Sequence, residues 1–344
     1  MLKYIIMIVI LLQTLLLSDA NRPLLKTGQV KSYNGFGYVV NDNRDDGYYQ
    51  KGVTRRYSQN GHIITDNVTK LRWQDNEIVT RPWLTQEAYD RGDYNAYAEG
   101  ETAWAYCNKL IVDDITDWRL PSIKELETIM YTQAYNPAID PIFQHIGSIA
   151  YWSFTEEYNF IQGAWAVQFE NGITNVDIKT QYKGVRCVKG TELEEFNTHS
   201  SGNTLEDPLT KLQWQDNEIV ETNILKWEDA INYCERLVLQ NRKDWRLPNI
   251  IELQSISKRR TLLPYYGFNH HPPIFEGSYS LIWSSTSAIS LSSARPEAWG
   301  VVGNYGSAES ADKESNQYYV RCVRNNNDGN MGGIISPIYM ILLN

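Results

Sequence analysis

The chain is poor in the residues that most often carry chemistry, with four cysteines and five histidines among 344 residues. No Cys-x-x-Cys or His pair of ligand spacing occurs, so the usual zinc frameworks are missing. Adjacent His270-His271 come nearest to a metal cluster, and the first half of the chain has no such pair. Positive charge is also short. Lys and Arg number 32 against 41 Asp and Glu, a net charge of −9. Nucleic acid and anionic membranes reward basic excess, so neither is an expected partner. The overall field also opposes heavily sulfated glycans, although a local basic patch would escape that argument. Long apolar runs are confined to the two ends.

The N-terminal run has the layout of an export signal. Lys3 precedes Ile5–Leu12, the run continues to Leu17, and Ser18-Asp19-Ala20 supplies small residues for cleavage. It is short for a membrane span, an uncleaved anchor being the alternative. A secreted, periplasmic or cell-surface protein is expected. The C-terminal run Ile334–Leu343 is broken by Ser336-Pro337 and is too short to span a bilayer; it reads as a disordered or docking tail.

The chain does have eleven Trp and 23 Tyr, and an internal repeat. Trp73-Gln74-Asp75-Asn76-Glu77-Ile78-Val79 recurs unchanged as Trp214-Gln215-Asp216-Asn217-Glu218-Ile219-Val220. Asp117-Trp118-Arg119-Leu120-Pro121 recurs as Asp244-Trp245-Arg246-Leu247-Pro248. Tyr106-Cys107 matches Tyr233-Cys234, Trp152-Ser153 matches Trp283-Ser284, and Ala164-Trp165 matches Ala298-Trp299. Val185-Arg186-Cys187-Val188 matches Val320-Arg321-Cys322-Val323. A period of roughly 130–140 residues is too long for a solenoid unit, so the repeat describes two complete domains. The resulting division is a signal at 1–20, a leader at 21–61, domains at 62–190 and 191–325, and a tail at 326–344.

Two cysteines per copy at matched places read as one disulfide within each domain, Cys107 with Cys187 and Cys234 with Cys322. Locally, Ala103, Tyr106, Cys107 and Leu110 have helical spacing, as do Ala230, Tyr233, Cys234 and Leu237. A second helix starts at a capping box, Ser122 with Glu125 and Asn249 with Glu252. Alternation at Trp165, Val167 and Phe169 then predicts a strand, and Asn171-Gly172 a type I′ hairpin turn. In copy two the hairpin is expected to run from Trp299–Val301 through Asn304-Tyr305-Gly306 to Tyr319–Val323. Each domain therefore reads as helix, helix, then antiparallel strands, an α+β unit.

The combination of Trp-Gln-Asp, Tyr-Cys, Trp-Arg-Leu-Pro, Trp-Ser, Ala-Trp and Val-Arg-Cys resembles the C-terminal domain of the Legionella collagen-like protein, an extracellular bacterial family. The resemblance covers 62–190 and 198–325. It implies a C-type-lectin-like or formylglycine-generating-enzyme-like fold and, from the founding member, adhesion to polysaccharide. The leader, with Thr27-Gly28-Gln29 and Asp45-Asp46-Gly47-Tyr48-Tyr49, looks like the segment that often precedes this domain. Asp42, Asp45 and Asp46 lack the alternating acidic ladder of a calcium loop, and a solvated turn is the expectation there.

Asp75-Asn76 and Asp216-Asn217 offer paired oxygens for Ca²⁺ or a sugar, and Trp73 and Trp214 could stack on a ring. The plainer reading puts the Trp pair in the core and has Asp75 cap a turn. Arg119 and Arg246 are expected to bury their stems and pair with a carboxylate or carbonyls. Trp118, Trp152, Trp165, Trp245, Trp283 and Trp299 read as architecture. Ligand contacts are sought where the copies differ. Copy one has an aromatic and acidic segment at 81–99 with Trp83, Tyr89, Tyr94 and Tyr97. Copy two has a basic and aromatic cluster of Lys258, Arg259, Arg260, Tyr265, Tyr266, His270 and His271, the first choice for an anionic glycan. The expected function is non-enzymatic adhesion to an extracellular polysaccharide or surface protein. The alternative is a structural envelope component without glycan affinity. An enzyme of the formylglycine-generating type would need a reactive cysteine pair beyond those assigned to the disulfides.

Overall fold

The computed structural model describes residues 22–193, 198–257, 268–270, 281–288, 295–303 and 306–326. The leader forms a small hairpin, β1 (Ser32–Tyr33) and β2 (Val39–Val40), then a single-turn helix α1 (Asp46–Tyr49). Copy one continues with β3 (Tyr57–Asn60), β4 (Ile63–Asp66), β5 (Arg72–Gln74) and β6 (Val79–Pro82), then α2 (Gln86–Asp90), α3 (Ala103–Lys109) and α4 (Ile123–Ile129). It ends with β7 (Ala150–Glu156), β8 (Gly163–Gln168), β9 (Ile173–Ile178), β10 (Tyr182–Val185) and β11 (Val188–Lys189).

Copy two repeats that order. Its strands are β12 (His199–Ser201), β13 (Thr204–Asp207), β14 (Leu212–Gln215) and β15 (Ile224–Leu225), followed by α5 (Trp227–Arg236) and α6 (Ile250–Ile256). Then come β16 (Leu281–Ala288), β17 (Glu297–Val302), β18 (Ala308–Asp312), β19 (Tyr318–Tyr319) and β20 (Val323–Asn325). Only α2 has no helical counterpart in copy two among the described residues.

Each copy has a five-stranded sheet, ordered β6-β10-β7-β8-β9 or β15-β19-β16-β17-β18, and a four-stranded sheet, β11-β5-β4-β3 or β12-β13-β14-β20. The α+β reading holds, with four corrections. Four strands precede the first long helix of each copy, and the larger sheet is mixed because β10 and β19 run parallel to β7 and β16. In copy two the strand after β17 is β18, whereas Tyr318–Tyr319 pairs with β15 and β16. The β8–β9 connection is a four-residue loop between paired Gln168 and Ile173, in which Gly172 alone takes a positive φ, 81°, so it is not a type I′ turn.

The alternation along the central strands reflects two buried faces. Trp152, Ala164 and Ala166 face a core shared with Cys107, Trp118 and Leu120 on α3 and its connector. Tyr151, Trp165 and Val167 face a second core with Ile123, Leu126, Ile129 and Trp73. Copy two divides Trp283 and Ala298 from Ile282 and Trp299 in the same way. The disulfides Cys107–Cys187 and Cys234–Cys322 fasten the first long helix to the two- or three-residue link before the last strand, with Cα–Cα distances of 5.5 Å.

The copies pack α4 against α6. Lys124 Nζ donates to the Gln254 carbonyl, and Gln254 Nε2 donates to Glu127 at 3.0 Å. Nearby, Thr174 Oγ1 on β9 accepts from Ala308 N on β18 at 2.9 Å. No helix among the described residues is long and apolar enough to cross a membrane.

Candidate binding site

The repeated motifs fold each copy by connecting to one another. Trp73 and Trp214 are fully buried. Gln74 Oε1 accepts from Cys187 N at 3.0 Å, and its Nε2 reaches Tyr106; Gln215 does the same with Cys322 and Tyr233. Asp75 accepts from the backbone of Gln144 and His145 at 2.8 and 3.1 Å, and Arg186 bridges Asp75 to the His145 carbonyl. In copy two Asp216 holds Asn269 N and His270 N, with Arg321 on the His270 carbonyl. Asp75 thus clamps a distant loop through a buried ion pair. His145 and His270 occupy equivalent places on that loop through their backbone N–H groups.

Arg119 forms a two-pronged bond to Glu125 at 2.7 and 2.6 Å, and Arg246 to Glu252 at the same distances. Those carboxylates also complete the capping boxes by accepting from Ser122 N and Asn249 N at 2.9 Å. Trp118, Trp152, Trp165, Trp245, Trp283 and Trp299 are all buried.

A feature not foreseen in the sequence recurs beside the larger sheet. Lys179, just after β9, and Lys313, just after β18, are buried lysines whose ammonium groups lie over Trp83 and Trp227 at 4.3 and 3.6 Å from the ring centroids. The Trp83 indole N–H donates to Ser153 O at 3.0 Å and that of Trp227 to Ser284 O at 2.7 Å. Burial holds both lysines below the usual lysine range, Lys313 down to about 7. The clue was a lysine eight or nine residues before the second cysteine of each copy. It was hidden because the tryptophans do not align: counting back from the helix cysteine, Gly100 takes the sequence place of Trp227.

That displacement is produced by the segment particular to copy one. After Trp83 the chain leaves the common path, forms α2 capped by Thr85, and rejoins at α3. Trp83 contacts Phe154 and Tyr97 at centroid distances of 6.1 and 5.5 Å, and Tyr97 reaches Trp104 at 5.5 Å. Tyr89 and Tyr94 meet edge to face at 5.4 Å, and the Tyr94 hydroxyl accepts from Gln162 Nε2 at 3.0 Å. Tyr89, Tyr94, Tyr97 and Trp104 are half-buried, ringed by exposed Glu87, Asp90, Asp93, Glu99 and Glu101.

Of the residues expected to contact a ligand, Trp83 is a core residue at 1% exposure, because Lys179 and Phe154 cover its faces. Tyr94 retains a partly open ring. Lys258, Arg259, Arg260, Tyr265, Tyr266 and His271 lie outside the described residues. The leader's Asp45 and Asp46 do not form a solvated turn. Both are buried, and Asp45 accepts from Gln29, Ser32, Tyr33 and Tyr48. Among the described residues no cluster of His, Cys, Asp and Glu could hold a metal ion.

These features define a protein of two tandem, disulfide-closed α+β domains. The Lcl C-terminal domain family matches residues 62–189 and again 203–324, and the chain belongs to that family. No curated protein matches the chain.

Proposed function

We propose that the chain is an exported, non-enzymatic binding protein with lectin-like domains that attaches to a glycan through the aromatic crest of copy one. The observation that carries this reading is the crest itself. Tyr89, Tyr94, Tyr97 and Trp104 are partly open, yet their rings are fixed by edge contacts to one another and to Trp83 and Phe154. Rigid aromatic faces bind with little loss of side-chain entropy, and a segment inserted on a rigid scaffold is the usual place for recognition. Arg91 pairs with Asp93 and Glu99 and Arg81 with Glu101, but Glu87 and Asp90 keep the rim net acidic, which favours a neutral or amino sugar over a sulfated one. Both disulfides fit an oxidising, extracellular setting, and the four cysteines they occupy are thereby removed from thiol chemistry.

A glycan array probed with the mature protein tests the proposal. Binding by the wild type should fall about tenfold or more in Tyr94→Ala and Trp104→Ala, the loss expected for one or two stacking contacts. Far-ultraviolet circular dichroism and the midpoint of thermal unfolding should stay close to the wild type. Glycan binding unaffected by both substitutions would exclude the crest, and absence of glycan binding would favour an envelope protein as partner.

A further inference from the structure

The leader precedes copy one in sequence but docks chiefly on copy two. Asp46 accepts from Thr286 Oγ1 at 2.9 Å, Gln29 Oε1 from Ser287 N at 2.7 Å, and Lys51 O from Asn249 Nδ2 at 3.4 Å. Tyr49 donates to Glu235 at 2.8 Å, and Gly35 N to Glu228 at 3.1 Å. At the centre, Lys313 Nζ is held by Ser287 Oγ at 2.7 Å and by the leader carbonyl of Asn34 at 3.4 Å, with the Tyr33 ring 5.7 Å away.

The same position on copy one is closed by an unrelated segment. There Lys179 Nζ donates to the carbonyl of Tyr94, in the insertion, at 3.1 Å. Two lysine-tryptophan faces of like geometry, with matched lysines but unmatched tryptophans, thus each receive a main-chain carbonyl from an added segment, in one case an internal insertion and in the other the leader. Each buried lysine is capped from outside the shared repeat, by a contact that reads backbone and not a particular side chain.

The composition of the leader contact fits a docked segment better than a piece of core. Apart from glycines, its buried residues are Leu25 against Arg22, Thr27, Gln29, Ser32, Asp45 and Asp46. Contacts within a domain core are apolar, whereas separable interfaces are more polar. The seam is also partly open to solvent. A cavity of about 150 Å³ lies between Tyr33 and Gly37 of the leader, Gln133 of copy one, and Ser287 and Lys313 of copy two.

We infer that the lysine-tryptophan face of copy two is a docking site for a carboxylate-bearing peptide segment, and that the leader is its tethered and exchangeable occupant. The leader of a second copy of the chain therefore fits the same site. This inference does not depend on glycan binding by the crest.

The test uses the full mature chain with a specific protease sequence inserted after Thr54, in the exposed stretch that links leader and copy one. After cleavage the leader should co-elute with the body at high concentration. On dilution it should be replaced by a fluorescent synthetic peptide of residues 22–54, read by saturable anisotropy. Asp46→Ala in that peptide, or Lys313→Met in the body, should weaken exchange about tenfold or more, as expected for loss of a buried hydrogen bond. Lys313→Met keeps the length of the side chain over Trp227, and the uncleaved variant reports whether the body folds. Loss of native circular dichroism on cleavage would make the leader an integral part of copy two and overturn the inference. So would a cleaved leader that never exchanges, or exchange indifferent to both substitutions.

Discussion

Asp46 offers the sharpest test of the energetics. Its carboxylate is buried between Thr27 Oγ1 at 2.5 Å and Thr286 Oγ1 at 2.9 Å, with Asp45 and Glu252 adding negative potential. Burial is the largest cause that pushes its pKa from 3.8 up to about 7. The folded chain therefore holds a proton that the unfolded chain releases between pH 3.8 and about 7. Stability is fully present below that window and falls as pH rises through it. Three pH units at 1.36 kcal/mol each make the loss about 4 kcal/mol, of which about 2–3 kcal/mol falls between pH 5 and 7.

Lys313 acts in the opposite sense. Burial lowers its pKa from 10.5 to about 7, so the penalty of a buried ammonium is relieved in the folded state as pH rises beyond 7. Asp45, whose carboxyl is also raised by burial and which faces Lys313, adds to the slope on the acid side. The expected profile has its minimum near neutrality. Urea unfolding followed by tryptophan fluorescence at pH 5, 7 and 9 measures it, because Trp227 lies beneath Lys313. Asp46→Asn should remove most of the change between pH 5 and 7 and leave the alkaline rise. A variant with the wild-type slope on the acid side would refute the assignment.

The two copies also provide matched comparisons. Arg246→Ala strands the nearly buried Glu252 and should cost about 3–5 kcal/mol. Arg119→Ala should cost less, since the Arg119 side chain is 30% exposed and water can replace it; calorimetry of both variants gives the order. Replacing Cys107 and Cys187 together by Ser should lower the stability of copy one by about 4–5 kcal/mol through release of an 80-residue loop, with copy two changed less. A single calorimetric transition that shifts as a whole would mean that the copies unfold as one unit.

Much of the architecture was legible because it is written in short-range rules and in repetition. Ser122-x-x-Glu125 and Asn249-x-x-Glu252 start helices through local hydrogen bonds, and the structure has both capping boxes. The alternation at Trp165 and Val167 marks a strand, since successive side chains enter opposite cores. The matched cysteines predicted the two disulfides, because each copy had to close on itself.

What the order of residues could not determine was which distant segments meet. Asp75 looks like a turn cap from its neighbours alone, yet its partners are Arg186 and the backbone at 144–145. Trp83 looks like an exposed aromatic in an acidic segment, yet Lys179 and Phe154 enclose it. Asp45 and Asp46 look like solvated turn residues, yet the leader carries them onto a domain more than a hundred residues away in sequence. Local patterning specifies helices, strands and caps because their hydrogen bonds span a few residues. The tertiary structure alone decides which buried charges find partners and which segment closes each lysine-tryptophan face, because those contacts depend on the path of the whole chain.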